Sequence, residues 1–304
     1  MDMAYILLKQ ILIMFFIMLI GVLLYRHKKI SMQGTKELGT LLLYIVIPIV
    51  IIQSFCVEYT NERMTGLCWS FLLSLCSLIL AMLVSYLIFK RKRPLDNFAA
   101  SFSNAGFIGI PLVQATIGKE AVFYIASYIA LLNILQWTYG LFVMTGKKEG
   151  IRFTKLMGNP IVIAVIIGMI IFFLQLPIPE LIRTMMSSMA GLNTPLAMLI
   201  SGAYLAQVSF ITMFQDKHLL FSSILRLCIL PLMTFLLLLC VPFVDSSIRL
   251  AILIAASAPV GSNIAIFASL YDADYLYSVK TVCLSTILSI VTLPPLILLA
   301  QQFL

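Results

Sequence analysis

Apolar residues occur along this chain in long uninterrupted blocks, separated by short polar intervals rather than alternating with polar positions. That pattern predicts helices long enough to cross a bilayer. Ten segments are expected, at about 5–25, 37–57, 66–89, 96–118, 121–144, 157–175, 180–206, 219–243, 248–270 and 276–299. The fold class expected is an all-α polytopic membrane protein. Ten segments divide as five and five. An odd-numbered unit repeated in one chain must enter the membrane upside down the second time, the inverted-repeat plan of secondary transporters. The expected division is 1–144 for the first five-helix repeat, 145–156 for a polar cytoplasmic connecting loop, and 157–304 for the second repeat.

The fourth segment of each half is interrupted by residues that do not belong in a helix interior. Segment 4 reads SFSNAGFIGIPL, with Ser103, Asn104, Gly106, Gly109 and Pro111; segment 9 reads ASAPVGSNIAIF, with Pro259, Gly261, Ser262 and Asn263. Proline removes a backbone donor, and glycine costs a helix interior about 1 kcal/mol. A broken helix cannot leave its backbone groups against lipid, so it must face protein or a water-filled cavity. Helix starts freed near the midplane present N–H groups and a positive dipole, which suits an anion and most naturally a carboxylate. The alternative is a pair of kinked helices whose Ser and Asn side chains bond between neighbours.

Composition removes the other broad classes. Of 304 residues, 62% are apolar and 11% charged, against roughly 25% charged in an ordinary soluble domain. The net charge of +8 lies in clusters between the apolar blocks: Arg26, Lys28 and Lys29; Lys90 to Arg93; Lys147, Lys148, Arg152 and Lys155. This is the positive-inside signature rather than a nucleic-acid footprint. Loops on one side hold thirteen Lys and Arg, and those on the other hold four. That bias predicts both termini outside. The amino-terminal block is read as a first span rather than a cleaved signal, because its basic cluster follows the apolar run. The six cysteines are expected as small buried hydrophobes without disulfides. His27 and His218 are read as members of the basic clusters.

All twelve acidic residues fall in expected loops or at segment ends. Two cations fall inside spans, Arg226 in segment 8 and Lys280 in segment 10. They are read either as snorkelling to headgroups or pairing with Asp272 or Asp274, or as attracting an anion on the cytoplasmic route. In segment 5, Asn133 and Gln136 share a helix face beside Trp137 and Tyr139. They either line a site or hold helices together.

These residues also resemble a known family. Asn104 to Leu112, reading NAGFIGIPL, is similar to the Asn-x4-Gly-Ile-Pro signature of the auxin efflux carrier family, within the superfamily that holds the bile-acid sodium symporters. The likeness continues through LLLYIVIPIVIIQSF around Pro48, NPIVIAVIIGMI at Asn159 and Pro160, NTPLAMLISGAYLA around Pro195 and Gly202, APVGSNIAIFASLY, and LSTILSIVTLPP at 284–295. It implies ten helices in two inverted halves, a scaffold-like bundle, crossed broken helices 4 and 9, and elevator-like alternating access. It implies organic-anion substrates, indole acids or dicarboxylates such as malate. Crossover contacts carry over to Asn104 and to Pro259 with the residues after it. Plant members place Pro before the segment 4 Asn, where this chain has Ser103. The absence of their long cytoplasmic loop points to a prokaryotic cell-membrane protein.

The function expected is a secondary active transporter for a small organic anion, with an anion or solute channel as the alternative. Site residues are Ser103, Asn104, Gly109, Pro111, Asn133, Gln136, Pro259, Gly261, Ser262 and Asn263, with Arg226 and Lys280 as anion attractors. No cofactor or metal is implied. Partners are the organic anion and the lipid bilayer, with room for a homodimer. No pair of mid-span acids, buried serine base or histidine cluster supports an enzyme.

Overall fold

The computed structural model describes residues 3–146 and 158–304, and in those residues the backbone is helical between short connections. Most of the connecting loop at 145–156, with its four basic residues, lies outside the described residues. In chain order the helices are α1 (Met3–Arg26), α2 (Met32–Ser54), α3 (Asn61–Phe89), α4 (Pro94–Ser101), α5 (Ala105–Thr116) and α6 (Lys119–Thr145). They continue with α7 (Pro160–Leu174), α8 (Glu180–Ala190), α9 (Asn193–Ala206), α10 (Phe210–Gln215), α11 (Lys217–Leu239), α12 (Ser246–Ser257), α13 (Asn263–Leu270) and α14 (Tyr275–Phe303). Among the described residues, seven continuous helical stretches are long and apolar enough to cross a membrane, and α5, α7 and α12 are shorter apolar helices. This is a polytopic, all-helical membrane protein.

Local chemistry sets the helix starts. Thr60 accepts a hydrogen bond from the Arg63 N–H at the head of α3, Asn159 caps α7 through Ile161 N–H, and Asp274 caps α14 through Tyr277 N–H. Each side-chain oxygen satisfies a donor that the first helical turn leaves open. Pro94 and Pro160 open α4 and α7, where the missing N–H costs nothing.

Packing follows two logics. Phe16, Leu87, Leu174 and Leu236 are exposed, an apolar surface that only lipid can cover. Cys68 and Cys240 lie on this surface as well, and Cys283 alone among the six is fully buried. The burial expected of all six therefore fails, because an apolar thiol is equally at home against lipid. Inside, small residues let backbones touch. A Cβ added at Gly202 of α9 would run into the Met18 carbonyl of α1, and one at Gly21 of α1 into the Leu199 carbonyl of α9. Such small-residue contacts are how helices associate where lipid removes the hydrophobic drive.

Segments 4 and 9 are each two helices, not one. α4 stops at Ser101, and Phe102 takes extended angles (φ −120°, ψ 119°). α12 stops at Ser257, and Ala258 is extended (φ −57°, ψ 149°) ahead of Pro259, as the residue before a proline prefers. The two non-helical stretches cross in an antiparallel bridge between Ser103 and Val260.

Candidate functional site at the helix crossover

Backbone donors freed at the crossing find acceptors close by. Asn104 N–H donates to the Pro259 carbonyl at 2.7 Å, and Gly261 N–H donates to the Phe102 carbonyl at 3.0 Å. Val260 N–H donates to the Ser285 hydroxyl of α14 at 3.1 Å. Gly261 is required here, since a Cβ would sit 3.0 Å from the Ser103 carbonyl oxygen. The crossing can therefore be buried without leaving the unsatisfied backbone that would forbid it.

Side chains tie the same two loops together. Asn104 Nδ2 donates to Ser262 Oγ at 3.0 Å, and both residues are 5% exposed. Ser103 Oγ donates to the buried Tyr128 hydroxyl of α6 at 3.4 Å. Asn263, the first residue of α13, donates from Nδ2 to Gln136 Oε1 at 2.8 Å. Gln136 is 1% exposed and its Nε2 has no acceptor. Asn133, one turn earlier, donates to the Ile129 carbonyl. A narrow cavity touches Ser103, Asn104, Asn133, Gln136, Ser262 and Asn263 together. A buried amide donor without a partner costs about 1–3 kcal/mol, so Gln136, one of the residues lining this cavity, keeps an unfilled demand for an acceptor.

The narrow cavity adjoins a larger one of about 570 Å³, with which it shares Leu43, Asn133, Ile161 and Asn263. Trp137, Phe267 and Tyr271 wall it, and Asn159 and Pro160 stand at its rim. Trp137 and Phe267 rings lie 4.8 Å apart, and Phe267 and Tyr271 rings 6.0 Å apart. The cavity thus has an aromatic flank and an amide floor. A third cavity, of about 660 Å³, lies at the other end of α6, lined by Asn61, Glu62, Arg63, Glu120, Tyr124 and Asp245.

Four π-helical turns lie at this centre: Leu42–Val46 in α2, Ala105–Gly109 at the start of α5, Gln136–Gly140 in α6 and Leu225–Ile229 in α11. A π turn adds one residue to the helix and re-aims the turns beyond it, a device found mostly at functional sites. Gln136 and Arg226 both sit in one, and Asn104 immediately precedes another.

Not every expected site residue comes to the crossing. Gly109 packs against Ala255 of α12, with a Cβ there 3.6 Å from its Cα. Pro111 sits buried at the second position of the α-helical part of α5. The break falls before both, at Phe102–Asn104, and the helix runs on through Pro111 directly after the π turn at Ala105–Gly109. Neither residue lines either cavity.

The two intramembrane cations part company. Arg226 is 1% exposed, and donates from Nη1 to the Ala100 carbonyl at 3.0 Å and from Nε to the Ala258 carbonyl at 3.3 Å. Snorkelling to headgroups, or pairing with Asp272 or Asp274, is therefore not what it does: its reach is spent inward on the ends of α4 and α12. Lys280 is half-buried on α14, away from the residues lining both crossover cavities. Sequence reasoning also underrated Asp96. Expected at a segment end, it is 4% exposed, accepts from the Tyr277 hydroxyl at 2.6 Å and pairs with Arg93 at 3.5 Å. Tyr128, Phe267, Tyr271 and Ser285 were missed altogether, since aromatics and serines are common in any span.

Comparison with known sequences identifies the family. A family model described as "Membrane transport protein" matches residues 6–157 and 151–297, nearly the whole chain. No curated protein matches it. On the strength of that match, the chain belongs to the membrane transport protein family, which is the family of the auxin efflux carriers.

Proposed function

We propose that the protein is a secondary active carrier for a small organic anion, a carboxylate, held at the crossover and moved by elevator-type alternating access. The observation that carries this reading is the buried Gln136 Nε2, a donor without an acceptor, beside Asn263 and the Asn104–Ser262 pair. These groups offer donors, and none is an acid that would repel an anion. The starts of α5 and α13 add positive dipole on the same spot. Trp137, Phe267 and Tyr271 then suit an apolar body attached to the carboxylate.

Length supports two interrupted spans. α4 and α5 hold 8 and 12 residues, and α12 and α13 hold 12 and 8. At 1.5 Å per residue either pair reaches about 30 Å, the thickness of a bilayer core. Counted so, and with α8 and α9 as one span, ten segments in two inverted sets of five account for the chain. By the basic bias, the aromatic-flanked cavity faces the cytoplasm of a prokaryotic cell, with both termini outside. Asn104 and Ser262, which line the narrow cavity beyond it, are each 5% exposed, and so buried a crossing favours a carrier over a pore.

Thermal-shift screening of monocarboxylates, dicarboxylates and amino acids on the purified protein tests the reading. Saturable stabilisation by carboxylates is expected, and stabilisation by cationic solutes alone would overturn it.

A further inference from the structure

The geometry points to Arg226 as a resident cation that takes the place of a co-transported metal ion at the crossover, so that the carrier proposed above works without sodium bound there. α4 and α12 both end at the crossing, and each presents carbonyl groups without i+4 donors together with the negative end of its dipole. In broken-helix transporters such carbonyl ends are where sodium binds. Here the guanidinium reaches both: Nη1 to Ala100, the penultimate residue of α4, and Nε to Ala258, the residue capping α12. Arg226 is 1% exposed, and the ion pairs among the described residues, Arg63–Glu120 and Arg93–Asp96, do not involve it. Its polar neighbour is the Tyr128 hydroxyl, which also accepts from Ser103. The carbonyls are the counter-charge.

A fixed +1 at this point has two consequences. The carbonyl ends are already occupied by two donors of a rigid guanidinium that stays protonated, so a metal ion gains little by entering. The charge of a bound carboxylate is also balanced by the protein itself, and it can cross without a cation alongside. Arg226 is thus a positioning residue: it lines neither crossover cavity and acts through the two half-helices it joins.

The test is the thermal stability of the substrate-free, detergent-purified protein in sodium chloride and in choline chloride at equal ionic strength. Because no substrate is present, the outcome is separable from that of the carrier reading. The wild type is expected to melt at the same temperature in both salts. Arg226→Ser is expected to melt about 5 °C or more lower in choline and to recover part of the loss saturably as sodium is added. Arg226→Lys, which keeps the charge and covers the case in which the serine variant does not fold, is expected to fold and remain indifferent to sodium. Saturable stabilisation of the wild type by sodium would overturn the inference. So would a serine variant as stable as the wild type in choline, or a sodium response in the lysine variant.

Discussion

At the scale of single residues, the proposed carrier would recognise its substrate through amides. Asn263 and Gln136 bond to each other, and Gln136 keeps a donor in reserve. Replacing Asn263 with alanine removes that bond and the fixed partner of Gln136. Asn104→Ala removes the bond to Ser262 while leaving the backbone bridge to Pro259 intact. Each variant is expected to remain folded and to lose carboxylate binding, since a neutral hydrogen bond to a charged group is worth about 1.5–3 kcal/mol, or ten- to more than a hundredfold in affinity. Calorimetric titration with a stabilising carboxylate checks this; unchanged affinity in both variants would move the site elsewhere. Gln136→Glu places an acid where the donor stood, and is expected to abolish anion stabilisation near neutral pH and, because the site is 1% exposed, to lower the melting temperature of the free protein.

The crossing itself was legible beforehand, because Asn and Ser at a helix interruption are rare and conspicuous in an apolar span. The role of Arg226 was not. Its partners are the carbonyls of Ala100 and Ala258, groups that every residue carries, so no side-chain pattern could announce them.

Helices as units explain where reading from sequence succeeded and where it slipped. Apolar block length located the seven long apolar helices among the described residues to within about five residues, since bilayer thickness enforces it. The position of the break within segment 4 was harder. Pro111 looks like the breaker, but the π turn at Ala105–Gly109 accommodates it, and Pro294 and Pro295 lie inside unbroken α14. The break is set instead by the groups that can pair across it, Asn104 with Pro259 and Gly261 with Phe102. Gly261→Ala is therefore expected to push the strands apart at the Ser103 carbonyl and to abolish uptake, read as initial rate in proteoliposomes at matched protein content. The contact between α1 and α9 makes a separate prediction. Gly202→Val drives a branched side chain into the Met18 carbonyl, at a cost of about 1–3 kcal/mol or more, and is expected to lower the melting temperature measurably in detergent. An unchanged melting temperature would mean that α1 and α9 do not meet as closely as described.

The molecule as a whole carries its chemistry on an axis. One end holds the basic clusters Arg26–Lys29 and Lys90–Arg93; the other holds a cavity bordered by Glu62, Glu120 and Asp245. Between them the crossover joins α4, α5, α12 and α13, with α6, α11 and α14 supplying Gln136, Arg226 and Ser285. If the basic end faces the cytoplasm, an epitope added at either terminus is expected to be labelled in intact cells without permeabilisation. Labelling that requires permeabilisation would reverse the orientation. The charge bias made this expectation available from sequence, whereas the cavities did not show there, because they are assembled from residues more than a hundred positions apart.

Counterflow in proteoliposomes tests the central claim most directly, with the wild type and Asn263→Ala reconstituted at equal density and loaded with a carboxylate that stabilises the purified protein. The account predicts a saturable, transient accumulation of labelled substrate in the wild type and none in the variant. Ohmic single-channel currents from the wild type, or undiminished counterflow in the variant, would contradict it.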